Sequence, residues 1–218
     1  MNSPILQLVV LAGIAIFLIL RLRSVLGTRE GYETPQVPPA GLERGQRKFE
    51  VIEGGPDEDI LDHAEEGSDI AKALSRMKQR EPSFGVGNFL SGARGAYEMI
   101  LMGFERGAMD EIKPFLSEEV FEAFSEGVAA RAAQGLAVEA EFVGIRELTI
   151  HAADFHEASG IAEISVKFVG ELTSVVRDTD GEIVEGEEGK VKTQKDIWTF
   201  EREMGVNDPN WILVATGE

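Results

Sequence analysis

The 218-residue sequence contains no cysteine and carries a formal net charge of −18 at pH 7. The charge is uneven, because residues 1–48 hold six Lys/Arg against three Asp/Glu, whereas residues 49–218 hold 15 against 36. A chain without cysteine has no disulfide, no thiol nucleophile and no thiolate metal ligand. So acidic a chain also lacks the basic surface that nucleic-acid binding requires, and we expect no nucleic-acid partner.

An uncharged apolar run opens the chain, from Pro4 to Leu20, at the lower limit of the length that spans a bilayer as a helix. A buried soluble helix would need a large core around such a run. A cleaved signal peptide would carry basic residues before it, but Arg21 and Arg23 follow it instead. By the positive-inside rule, this order predicts a single-pass anchor over residues 1–26, held by membrane lipid, with the N-terminus outside and the remainder in the cytoplasm.

Residues 27–82 read as a tether. Residues 27–48 contain three prolines and four glycines without an apolar period, and residues 49–71 contain nine acidic residues and no Lys or Arg. Both compositions are typical of flexible connectors. The sequence also predicts a short helix near 70–80, capped by Asp69. This helix is basic and amphipathic, so it fits a membrane surface, a partner or its own domain.

A folded domain is predicted over residues 83–218, and it begins with helices. Between Val86 and Phe104, apolar residues recur every three or four positions, the spacing of one helix face, and Gly107 ends this helix. A short second helix follows over residues 108–116. Ser117 has the cap chemistry for a third helix, which Gly135 ends.

From Leu136 the apolar period changes to two, which predicts strands. In the first strand the apolar phase slips around Val143 and again before Leu148, and such slips indicate bulges. Four strands separated by three turns are predicted, with a turn in residues 153–160, a long polar hairpin tip in 177–190 and a turn in 205–210. The fold class is therefore α+β, with helices packed on one face of a curved antiparallel sheet. Its concave side is a place for a ligand or a peptide.

The inward-facing positions of this sheet are expected to line the candidate pocket and to carry no ionisable group. The plainer interpretation is that they form the core. On this basis we assign no catalytic, cofactor-binding or metal-binding residue. The candidate pocket residues are Tyr97, Leu101, Phe168, Trp198, Phe200 and Trp211.

Three histidines are the other candidates for chemistry. His63 lies in the acidic tether, and His151 and His156 flank the predicted turn with Asp154 between them. Such a group could bind a metal or move protons. Its spacing suits a solvated turn and offers no fourth ligand, so the turn is the favoured interpretation.

Four stretches carry a family resemblance: "FLSGARGAYEMILMGFERG", "IKPFLSEEVFEAF", "FVGELTSVVRD" and "DIWTFEREMGVNDPNWILVAT". They resemble the bacterial TimA group of membrane-tethered adaptors, which are similar to the C-terminal domain of the mitochondrial import-motor adaptor, the forty-four-kilodalton Tim subunit. The likeness covers roughly residues 84–217. The chain departs from the mitochondrial protein in its N-terminal region, where an anchor and an acidic tether stand in place of a long segment that meets the chaperone and channel.

The resemblance implies a nuclear-transport-factor-2-like cone and a bacterial inner-membrane location. It also implies a non-catalytic adaptor that binds a translocase, a chaperone or a membrane-protein complex, in protein translocation or membrane-protein assembly. A small-ligand or lipid carrier, or an enzyme, that uses the pocket of the cone is the alternative. A homodimer formed through the sheet is a third, weaker interpretation.

Overall fold

A computed structural model describes residues 57–217 of the chain. The predicted anchor, with Pro4, Leu20, Arg21 and Arg23, lies outside the described residues, as do residues 27–56 of the predicted connector. Within residues 57–217, no helix is long and apolar enough to cross a membrane. The elements of this part are α1 (Glu58–Leu61), α2 (Asp69–Arg80), α3 (Val86–Arg106), α4 (Met109–Ile112), a 3-10 turn (Lys113–Phe115), α5 (Glu118–Ala133), β1 (Ala137–His156), β2 (Ile161–Arg177), β3 (Ile183–Glu203) and β4 (Ile212–Gly217).

Side chains and glycines fix the ends of the helices. The Ser117 hydroxyl accepts a hydrogen bond from the Val120 N–H at 3.3 Å, which caps α5 as predicted. Gly107 ends α3 in the left-handed region at φ 73°. For α2 the predicted cap is wrong by one residue, because the Ser68 hydroxyl accepts from the Ala71 N–H at 3.1 Å and Asp69 is the first helical residue.

The four strands form one antiparallel sheet in the order β1-β2-β3-β4. Each strand pairs with the next one in the chain. This meander, preceded by helices, confirms the predicted α+β class. α3 lies on one face of the sheet, which we call the inner face, and the ring of its Phe89 contacts that of Phe200 on β3 at 6.1 Å.

Three bulges keep the inner side of β1 apolar. The register of β1 against β2 shifts at Val143, Arg146 and His151. The first two shifts occur where the apolar phase slips in the sequence, so the predicted bulges are confirmed. Each inserted residue returns the next apolar side chain to the inner face. The inner residues of β1 that pack on the core are Ala140, Phe142, Ile145, Leu148, Ile150, Ala153 and Phe155.

Two turns are shorter than predicted. β1 continues to His156, so the first turn is residues 157–160 rather than 153–160. β2 and β3 likewise extend into the predicted hairpin tip and leave a turn of residues 178–182, where the Asp178 carboxylate accepts hydrogen bonds from the Asp180 and Glu182 N–H groups. Arg177 forms ion pairs with Glu139 and Glu188 across this end of the sheet. The acidic composition of this stretch predicts a loop, but these ion pairs reduce the repulsion among its carboxylates.

Residues 57–82 pack on the domain, although their composition predicts a tether. Ile60 of α1 is 3% exposed, and Leu74 and Met77 of α2 are fully buried. The Asp59 carboxylate accepts hydrogen bonds from the N–H groups of Val86 and Gly87, at 2.8 and 2.9 Å. α1 therefore closes the N-terminal end of α3, and the folded part begins before residue 83.

Candidate functional site

Five of the six predicted pocket residues meet between α3 and the inner face of the sheet. Tyr97, Leu101, Phe168, Trp198 and Phe200 are all at most 5% exposed. The Tyr97 ring stacks on that of Phe168, with centroids 4.3 Å apart and planes 9° apart, and lies 4.7 Å from that of Trp198. The four aromatic side chains contact one another and, with Leu101 in the same core cluster, fill the space between helix and sheet.

The sixth residue, Trp211, belongs to a neighbouring group of rings. It is partly exposed and lies before β4, with its ring 4.7 Å from Phe89 and 6.0 Å from Phe84. The Arg202 guanidinium lies 5.4 Å from the Trp211 ring centroid. The two groups of rings are linked through Phe89 and Phe200.

Tyr97 also makes the central polar contact of this region. Its hydroxyl donates a hydrogen bond to Asp196 Oδ2 at 2.5 Å, and the Gln194 amide donates to the other carboxylate oxygen at 3.1 Å. Burial raises the pKa of Tyr97, and the hydrogen bond to Asp196 and the negative charge of that residue raise it further. The phenol therefore stays protonated at neutral pH and acts as a donor.

The close contact of Tyr97 with the sheet requires a glycine on β2. A Cβ at Gly170 would lie 2.8 Å from the Tyr97 hydroxyl oxygen and 3.0 Å from Cε1. Gly170 pairs with Gln194, and Phe168, two residues earlier on the same face of β2, pairs with Asp196. The absence of a side chain at position 170 thus leaves room for the phenol to reach the Asp196 carboxylate.

Asp196 corrects the expectation that no inward position is ionisable. In β3 it lies two residues before Trp198 and four before Phe200, so it shares their side of the strand. This parity was available in the sequence and could have placed Asp196 on the inner face. The partner was not available, because Tyr97 is 99 residues away in the chain.

The three histidines and Asp154 lie on the surface of the domain. His63, His151, His156 and Asp154 are all exposed. His151 lies within β1 and His156 is its last residue, directly before the turn of residues 157–160, so the two histidines do not flank a turn. Within residues 57–217, no three His, Cys, Asp or Glu side chains are placed to hold a metal ion.

The basic helix α2 contacts its own domain. Lys78 pairs with Asp57 and Asp59 at 2.8 and 2.6 Å. At the end of α2, Glu81 accepts hydrogen bonds from Arg202 and from the Gly205 N–H, the latter at 3.0 Å. The side chains of Arg202 and Glu81 are only 8% and 18% exposed. The ion pair joins the residue after α2 to the end of β3, and the Gly205 hydrogen bond joins it to the turn between β3 and β4.

Fold and site together define an α+β domain in which helices cover one face of a four-stranded antiparallel meander. The chain belongs to the Tim44-like domain family, whose model matches residues 70–218. Over 135 residues it is 24% identical to mitochondrial import inner membrane translocase subunit TIM44-1 of Arabidopsis thaliana, a match that covers 62% of this chain. The match covers 28% of the length of that relative. Among solved structures, the intermembrane space region of the chloroplast protein ARC6 aligns with a TM-score of 0.37 and 12% identity, over 56% of this chain and 88% of that one.

Proposed function

We propose that this chain is a non-catalytic adaptor of the bacterial inner membrane, of the TimA kind, that holds a protein partner near a translocation or membrane-assembly complex. The observation that carries the proposal is the match of residues 70–218 to the Tim44-like family. By its name, the Arabidopsis relative is a subunit of an inner-membrane import translocase. The apolar run from Pro4 to Leu20, with arginines only behind it, supports a single-pass anchor with the domain in the cytoplasm.

The filled interior favours recognition over chemistry. Five of the six candidate pocket residues contact core aromatic rings, and Leu101 is buried in the same core cluster. The hydroxyl of Tyr97 and both carboxylate oxygens of Asp196 are engaged in hydrogen bonds. An acid or base that attacks a substrate needs a free lone pair or proton within reach of it. The alternative of a small-ligand carrier or an enzyme would require these side chains to separate.

Cell fractionation and a topology reporter test the membrane part of the proposal. We expect the full-length chain in the membrane fraction, with a C-terminal reporter active only in the cytoplasm. A chain without residues 1–26 should be soluble and folded, with the same circular dichroism spectrum. A periplasmic reporter signal would contradict the proposed topology, and a mature chain that begins after Leu26 would show that the anchor is cleaved.

Crosslinking in intact cells tests the adaptor part. We expect the full-length chain to recover components of a membrane-protein complex, and the chain without residues 1–26 to recover fewer of them, because anchoring raises the local concentration. Identical recovery by both chains would show that the anchor contributes nothing to partner choice. Recovery of no membrane-complex component by either chain would contradict the adaptor role.

A further inference from the structure

The side of β3 that faces away from β2 is only partly paired. β4 pairs with β3 only from Ile197 to Glu201, although β3 begins at Ile183. Among residues 57–217, no strand pairs with residues 191–195 on the side away from β2. On the other side these residues pair with β2 without a register shift, from Val191 opposite Thr173 to Lys195 opposite Val169. We call residues 191–195 the open edge segment.

The other long edge of the sheet is less suited to pairing. β1 is an edge strand, but its bulges at Val143, Arg146 and His151 interrupt the spacing of its main-chain groups. Bulges of this kind discourage the addition of another strand. The open edge segment is regular, and its sequence, VKTQK, includes Val and Thr, which favour strands.

Two lysines set the chemistry of this segment. Lys192 and Lys195 are exposed, and the ion pairs formed within residues 57–217 include neither of them. Lys192 lies opposite Leu172, a buried inner-face residue, so it shares the inner face. Lys195 is three residues further along β3 and therefore points to the opposite face of the sheet. Lysines on an edge discourage pairing with uncharged apolar strands, but they are complementary to carboxylates.

We propose that the open edge segment binds an extended acidic peptide, which adds as a strand beside β3 with carboxylates spaced three residues apart. Residues three apart in a strand point to opposite faces, so one carboxylate meets Lys192 and the other Lys195. Strand addition of this kind obtains affinity from main-chain hydrogen bonds and specificity from side chains. This inference rests on the proposed adaptor function and names the chemistry of its partner.

A second copy of the chain is a poorer occupant. Residues 57–217 hold 33 acidic and 15 basic residues, so two such domains repel each other. A short peptide with two carboxylates carries far less charge and places both of its carboxylates at the lysines. Screening confines the interaction of exposed charges to about 8 Å at physiological ionic strength, so acidic residues farther away than this contribute little repulsion.

The probe is a fluorescent eight-residue peptide of valine and threonine with glutamates at positions three and six, titrated into the full-length chain in mild detergent. A control peptide carries its glutamates at positions three and five, on one face. We expect the first peptide to bind at least tenfold more tightly than the control. Hydrogen exchange should slow in the open edge segment when it binds.

The variant Lys192→Glu/Lys195→Glu should weaken binding of the first peptide at least tenfold, whereas the matched variant Lys72→Glu, at an exposed lysine of α2, should leave it unchanged. Equal affinity for both peptides, protection elsewhere in the domain, or an unaffected double variant would overturn the proposal. Dimerisation through the segment without peptide binding would also overturn it. Membrane fractionation of the double variant is a separate measurement. A failure of the peptide-binding proposal therefore leaves the adaptor proposal intact.

Discussion

Replacing Gly170 by alanine tests whether Tyr97 is held rigidly between α3 and the sheet. The new Cβ would lie 2.8 Å from the Tyr97 hydroxyl oxygen and 3.0 Å from Cε1. The first distance is shorter than real Cβ contacts, and the second is at the tight end of their range. The ring has little room to move, because it stacks on Phe168 at 4.3 Å and its hydroxyl is bonded to Asp196. The collision must therefore shift either the ring or the strand.

The expected cost follows from these contacts. Forcing one extra carbon into a packed core costs about 1–3 kcal/mol. Displacing the phenol also weakens a hydrogen bond to a charged group, an interaction worth about 1.5–3 kcal/mol. Because the two losses share one movement, we expect Gly170→Ala to lower the free energy of unfolding by about 2–3 kcal/mol. For a domain of this size, that corresponds to a fall in Tm of about 4–12 °C.

Thermal and urea unfolding of the full-length chain, followed by circular dichroism, measure this cost. Gly92→Ala is the matched control, because Gly92 lies on the exposed side of α3 with no atom within 4 Å of its added Cβ. That control should raise the free energy of unfolding by about 0.5–1 kcal/mol through helix propensity. If Gly170→Ala proved as stable as the wild type, Tyr97 would be free to move and the filled interior would be an openable pocket.

Three further substitutions test other parts of the structure. Partial burial raises the pKa of Asp59, but its hydrogen bonds lower it by more, so that the pKa falls from 3.8 to about 2. The stabilisation of the fold by this carboxylate is therefore present above pH 4 and is lost as pH falls toward 2. Asp59→Asn should therefore cost about 1 kcal/mol at pH 7 after allowance for solvent screening, and the variant's urea midpoint should fall less than that of the wild type between pH 4 and 2. Gly103→Ala would place a Cβ 2.3 Å from Cγ2 of the fully buried Ile112 and should cost about 1–3 kcal/mol by thermal melting; an unchanged Tm would contradict this packing. Glu81→Ala leaves the Arg202 guanidinium largely buried without its carboxylate and should cost about 3 kcal/mol in urea unfolding, whereas a cost below 1 kcal/mol would show that solvent replaces the ion pair.

Local chemistry made part of the fold predictable from sequence. The cap at Ser117 and the end of α3 at Gly107 depend on residues within one turn of the helix terminus. The bulges near Val143 and Arg146 left a visible slip in the apolar phase of β1, because the buried face must stay apolar whatever the strand does. Such features need no knowledge of distant partners.

What the sequence did not predict depends on long-range pairs. The acidic composition around α1 favoured a tether, but Asp59 there binds the N-terminal end of α3, 27 residues on, and Lys78 of α2 neutralises part of its charge. The spacing of Asp196 from Trp198 places it on the inner face, but its acceptor role depends on Tyr97, in a different element. The number of acidic residues in a segment does not show which of them have distant basic or main-chain partners. Composition alone therefore cannot distinguish a solvated acidic segment from one that packs on the domain.

Asp196 connects the open edge segment to the core. Asp196 follows the open edge segment directly in β3, and its carboxylate holds Tyr97 of α3. A strand added beside residues 191–195 restrains the main chain of β3 up to that carboxylate, and with it the position of α3. A ligand that binds only the folded state stabilises it by about 2.7 kcal/mol at a concentration one hundred times its Kd. Occupancy of the edge should therefore raise Tm in the wild type, and the rise should be smaller in Tyr97→Phe if Asp196 transmits part of the restraint. An equal rise in both would confine the effect to the edge itself.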